Sequence, residues 1–273
     1  MIAIQNFFLN ISFICIWYLS SFCISHASEK KGQPEKGYSI EAKSSFVSKK
    51  FMLATANPVA TKAGYRVLLN GGNAIDAVVA VQMVLNVVEP QSSGIGGGAF
   101  ILYWDAKTKK LYSFDGREKA PKSLNQNYFL DNNGRKKKFW EVVQGGGSVG
   151  VPGTLRLMEF MHKRYGVLKW SKLFEPAINL AREGFKISPR LFESISTAQK
   201  RGLDRFPSTR AYFFDDNNIP RSTGSKLINE PLAKTFDLVA QEGADAFYKG
   251  DIAKAIVSAV QGTEFNPGYL TLQ

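Results

Sequence analysis

Asp115-Gly116-Arg117-Glu118 sets three ionisable side chains of both signs within four residues, where an alternating apolar segment gives way to loop. An arginine there presents a planar fork that grips a carboxylate through two parallel hydrogen bonds. Strand ends feeding loops are also where binding sites are commonly built. From spacing alone, the same charges serve as an internal salt bridge, the commoner fate of an arginine.

Other chemistry-bearing residues are scarce. The 273 residues include two cysteines, Cys15 and Cys23, and two histidines, His26 and His162. Zinc fingers, iron–sulfur sites and histidine-cluster enzymes need more ligands, so no metal or other cofactor is expected. His162 falls in Glu159-Phe160-Met161-His162-Lys163-Arg164, the polar end of an amphipathic helix. A cationic helix surface is a poor place for a buried base, so His162 is read as structural. Residues 94–99 and 145–150 match dinucleotide-binding glycine spacings. Neither opens a helix directly after a strand, so both are read as close-packing glycines and nucleotide binding is rejected. Arg135-Lys136-Lys137-Lys138, ahead of Phe139 and Trp140, reads as a solvated loop rather than a nucleic-acid patch.

The elements that must position Arg117 follow from the pattern. Residues 52–56 read as a short strand. Asn57-Pro58 starts a helix by capping and by a preset first turn, with Val59, Ala63 and Val67 on one face. Gly71-Gly72 ends it, and Asn73 with Asp76 caps a second helix that is apolar nearly all round and therefore central. A glycine-rich loop then enters a hairpin over residues 99–115. Beyond Gly153 the periodicity is helical over 154–165, 171–183, 189–200, 230–242 and 251–260. Helices on either side of a hairpin predict an α+β layering.

Residues 7–22 are almost uninterruptedly apolar, and Ser25 and Ala27 give the small-residue spacing that a signal peptidase reads. We expect a signal peptide over 1–27, an exposed polar leader over 28–50 and a globular domain over 51–273. The run lacks a basic flank, so membrane attachment is the alternative, although 16 apolar residues fall short of the roughly 20 that span a bilayer. Cleavage after Ala27 leaves 273 − 27 = 246 residues, a charge of 35 − 23 = +12, no cysteine and one histidine. Cysteine nucleophiles are thereby excluded, and the expected location is periplasmic or secreted.

Several segments stand together in one order: Asn57-Pro58-Val59-Ala60-Thr61, Gly71-Gly72-Asn73-Ala74-Ile75-Asp76, Glu89-Pro90-Gln91-Ser92-Ser93-Gly94-Ile95-Gly96-Gly97-Gly98, Asp115-Gly116-Arg117-Glu118 and Val151-Pro152-Gly153-Thr154. Glu175-Pro176-Ala177-Ile178 and Ala246-Phe247-Tyr248-Lys249-Gly250 continue the series. Residues 52–273 thus resemble the N-terminal part of the large subunit of the gamma-glutamyltranspeptidase (glutathione hydrolase) family. The resemblance implies an α+β fold, a four-layer αββα sandwich of the N-terminal-nucleophile hydrolase type, incomplete in this chain. It implies a self-cleaving proenzyme whose new N-terminal threonine attacks the gamma-glutamyl amide of glutathione, with water or an amine resolving the acyl-enzyme. It also places Arg117 on the substrate's α-carboxylate.

The nucleophilic threonine and oxyanion-hole glycines belong to the part that follows the residues here, so no catalytic residue is expected in this chain; Thr61, Thr154 and Thr271 do not inherit the role. Expected partners are a gamma-glutamyl compound and the complementary small subunit, with no nucleic acid, and a membrane only if the signal stays as an anchor. Alternatives are an inactive remnant, or an exported basic binding module that keeps the Arg117 pocket. Unpaired sheet edges and apolar faces are expected of such a fragment.

Overall fold

The computed structural model describes residues 45–273. The expected signal segment and most of the leader lie outside the described residues; 45–50 are exposed. Residues 51–56 form no strand, correcting the expectation for 52–56.

Helix α1 (Pro58–Leu69) opens as the sequence dictates: Asn57 accepts a hydrogen bond from the Val59 amide and proline fills the first turn. Its buried face is Ala60, Ala63, Gly64 and Val67, whereas Val59 is exposed. Ala63 and Val67 are thus buried as expected, and Ala60 takes the place expected of Val59. Helix α2 (Ala74–Val88) carries the expected capping box between Asn73 and Asp76. Eleven of its fifteen residues are buried, so it forms the axis of the core.

Strands β1 (Ala99–Asp105) and β2 (Lys110–Gly116) pair antiparallel, with Phe100 opposite Asp115 and Trp104 opposite Leu111. One face, including Ile101, Tyr103 and Phe114, packs toward the core; the other presents Phe100, Leu102, Trp104 and Leu111 to solvent. Helix α3 (Phe139–Val142) is a single turn; α4 (Thr154–Tyr165) lies beneath β2, and α5 (Trp170–Glu183) packs on α2. Two-residue strands β3 (Phe185–Lys186) and β4 (Lys226–Leu227) form a second small sheet. Helices α6 (Pro189–Gln199) and α7 (Pro207–Phe213) lie between them in sequence. Helix α8 (Glu230–Glu242) packs on α5, where the fully buried Phe174 and Phe236 meet edge to face. The short α9 (Asp245–Tyr248) and α10 (Gly250–Gln261) follow. The mixture of helices with two two-stranded antiparallel sheets among the described residues is consistent with the α+β architecture expected.

The 145–150 glycines do pack closely. The Gly147 amide donates to the Asn266 carbonyl at 2.7 Å, and the Asn266 side-chain amide donates to the carbonyls of Val142 and Gln144. A β-carbon on Gly146 would stand 1.9 Å from the Val260 carbonyl oxygen, so no larger residue fits. The helix following this run begins only at Thr154, which is not the arrangement that cradles a pyrophosphate. Among the described residues, no helix is long and apolar enough to cross a membrane.

Candidate functional site

Arg117 stands directly beyond the end of β2 and continues the row Leu111, Ser113, Asp115 on the exposed face of the hairpin. Its backbone amide donates to the Asp115 carboxylate at 2.8 Å, which shapes the turn out of the strand. Its Nε lies 3.0 Å from Oε2 of Glu118, while its side chain is 66% exposed. The salt-bridge reading is realised: Glu118 steadies one side of the guanidinium, while the terminal nitrogens form no hydrogen bond or ion pair among the described residues.

The same Glu118 oxygen lies against the glycine-rich loop before β1. A β-carbon on Gly98 would sit 2.6 Å from Glu118 Oε2 and 2.8 Å from the Gly116 carbonyl oxygen, so glycine is what lets loop and strand end meet. The amides of Gly153 and Thr154 both donate to the Gly97 carbonyl, fastening the N-terminus of α4 to the same loop. The Lys119 and Val151 backbones form a bridge on the far side. Arg117 thus projects from a strand end braced from two directions.

Beside it is an open hollow of about 520 Å³ whose lining includes Arg117, Lys119, Arg156, Phe114, Leu157 and Tyr248. Arg156 lies over the Tyr248 ring at 4.8 Å and ion-pairs with Asp245 and Glu159. Hydrogen bonds from Lys249 and Arg156 hold the Asp245 carboxyl down to about 2. Burial pushes Glu159 up, but the Ala244 amide and the Lys163 and Arg156 cations outweigh it, so its pKa lies below the usual value. Glu118 was legible as part of the Asp115–Glu118 motif, whereas Lys119 escaped the sequence reading; Arg156 had no signal, because only the fold brings α4 beneath β2.

The loop between α2 and β1 is anchored by Glu89, which is 1% exposed. Its carboxylate accepts from the side-chain amides of Asn57 at 2.6 Å and Gln91 at 2.5 Å, and it pairs with Arg190. Ser92 and Ser93 serve this scaffold: Ser93 hydrogen-bonds Asn86 and Gln82, and Ser92 accepts from Arg190. His162 is more enclosed than expected, with its side chain 14% exposed. Its Nε2 lies 2.8 Å from the Leu168 carbonyl and 3.7 Å from the buried Asp76, which itself accepts from the Val167 amide. It fastens the turn after α4 to the start of α2, a structural role reached by a different route. Among the described residues, no cluster of three His, Cys, Asp or Glu side chains could hold a metal ion.

The glutathione hydrolase proenzyme of Bacillus subtilis (strain 168) is 45% identical over 236 residues, covering 86% of this chain and 39% of that protein. The Bacillus anthracis capsule biosynthesis protein CapD proenzyme is 37% identical over 204 residues, 75% of this chain and 34% of that protein. The crystal structure of Helicobacter pylori gamma-glutamyltranspeptidase superposes with a TM-score of 0.78 at 36% identity, covering 84% of this chain and 64% of that one. The chain therefore spans about two-fifths of the length of the Bacillus relative. The sequence pattern of the gamma-glutamyltranspeptidase family matches residues 60–273, and with the shared fold this makes the chain a member of that family.

Proposed function

We propose that this chain contributes the carboxylate-gripping part of an exported enzyme that transfers or hydrolyses gamma-glutamyl groups, with glutathione among its donors. The observation that carries this reading is Arg117: two-thirds exposed at a braced strand end, its Nε engaged by Glu118 and its terminal nitrogens left for two parallel bonds to a substrate α-carboxylate. Fixing that carboxylate sets where the gamma-carbonyl lies, which is how positioning lowers the barrier.

The attacking threonine hydroxyl is supplied by a complementary C-terminal part, with the threonine's own α-amine taking the proton. The acyl bond forms as the amide nitrogen leaves protonated, and water or an amine then releases the glutamyl group. The relatives' description as proenzymes supports a chain made in one piece and cut. The bare hairpin face of Phe100, Leu102, Trp104 and Leu111, continuous with Arg117, supports a second layer docking there. Export rests on the 1–27 pattern.

A chromogenic gamma-glutamyl anilide tests the reading. The chain alone should give no turnover, and co-expression with a threonine-led complementary part should give it. Turnover by the chain alone, insensitive to changes at Arg117, would place the nucleophile and the carboxylate grip elsewhere.

A further inference from the structure

The fold gathers a second cationic surface away from Arg117. Residues 131–141 and 199–205 together carry seven cations (Arg135, Lys136, Lys137, Lys138, Lys200, Arg201, Arg205) and three carboxylates (Asp131, Glu141, Asp204). The two segments are some sixty residues apart and meet through Arg201, whose guanidinium lies 3.9 Å over the Trp140 ring, and through Gln144, which hydrogen-bonds the Arg201 carbonyl and Arg205. The three carboxylates are engaged locally, Asp131 by Arg135, Glu141 by Lys138 and Asp204 by Asn218. All seven cations are exposed, with Lys137 also donating to the Tyr128 carbonyl and Arg205 lying over the Phe265 ring.

Apolar rings project among these charges. Phe139 is 63% exposed, and Trp140 and Phe129 are about half exposed. Lysines and arginines around exposed Phe and Trp are what an anionic lipid surface selects: the charges meet headgroups and the rings enter the acyl boundary. A stacked nucleic acid fits less well. Phe139 and Trp140 stand edge to face at 82°, and Arg201 covers a face of Trp140, so no open parallel platform is presented.

We propose that this patch binds the surface of membranes rich in anionic phospholipid, with Lys136, Lys137 and Lys138 at the headgroups and Phe139 inserted. It places membrane contact on the folded domain, separate from the apolar N-terminal stretch.

The test is co-sedimentation of the full chain with phosphatidylcholine vesicles and with vesicles also containing phosphatidylglycerol. The stretch at 7–22 is common to all proteins compared, so differences between them in the preference for anionic over neutral vesicles isolate the patch. Each cation near such a surface is worth about 5-fold in affinity. Lys136→Gln should therefore lower the preference about 5-fold, and Lys136→Gln with Lys137→Gln and Lys138→Gln on the order of 100-fold. Phe139→Ser should weaken anionic binding while circular dichroism stays unchanged. An anionic preference equal in all variants overturns the proposal. So does a Phe139→Ser protein with undiminished lipid binding in a chain that holds soluble heparin or duplex DNA as tightly, since the patch would then serve a polyanion.

Discussion

Arg117 and Glu118 are sequence neighbours whose side chains meet at 3.0 Å, one projecting from the hairpin's open face and the other turned toward the Gly97-Gly98 backbone. In the complemented enzyme, Arg117→Lys replaces a two-pronged grip by a point charge and should lower kcat/KM by about 1.5–3 kcal/mol, roughly ten- to a hundredfold. An unchanged kcat/KM would remove Arg117 from the site. Glu118→Gln keeps the shape but drops the charge that steadies Nε, so its loss should be smaller.

Glu89 is a buried carboxylate shared by α1, the loop before β1 and α6. Glu89→Ala takes the anion away from an Arg190 side chain that is only 14% exposed, and should cost about 3–5 kcal/mol in denaturant unfolding. A loss below about 1 kcal/mol would mean that the loop is held by its other contacts.

Asp245 couples α9 to α4 through Arg156 at 2.6 Å. Its folded pKa, about 2, lies below the ordinary 3.8, so its stabilisation is complete above the ordinary value and is lost as pH falls toward 2. Asp245→Asn should melt below the parent at about pH 5 and above, and the two melting curves should converge near pH 2. A gap that persists at the lowest pH would assign the effect to packing instead of charge.

Gly146→Ala drives a methyl group into the Val260 carbonyl. Relief requires the 145–147 turn to withdraw from α10, and the expected loss is about 1–3 kcal/mol, seen as a lower midpoint without a new activity phenotype in the complemented enzyme. An unaffected midpoint would show that the turn yields freely.

What the sequence disclosed was local. Asn57, Asn73 and Asp76 act on amides within three residues, so the starts of α1 and α2 could be read directly. The hairpin was legible because its alternation and its turn lie in one short span. The 52–56 segment has strand composition, but composition cannot supply a pairing edge, and none meets it among the described residues. Strands β3 and β4 pair across some forty residues with two residues each, too short for any period to show. Arg117 could be singled out, yet its bracing by Gly98 and Glu118 depends on how closely two loops approach, which spacing does not encode. His162 reads as surface on its own helix and is enclosed by the turn that follows it.

The Asn266 clamp has a consequence for the order of events during synthesis. Its bonds reach back to Tyr128, Val142 and Gln144, spans of 138, 124 and 122 residues. A ribosome delivers Tyr128 and the glycine turn long before Asn266, which joins them. At about 5–20 residues per second they wait roughly 6 to 30 seconds without it, while α2, α4 and α5 already have partners to pack on. The stretch from the 120s to the 140s thus lacks its most distant fastening until Asn266 emerges.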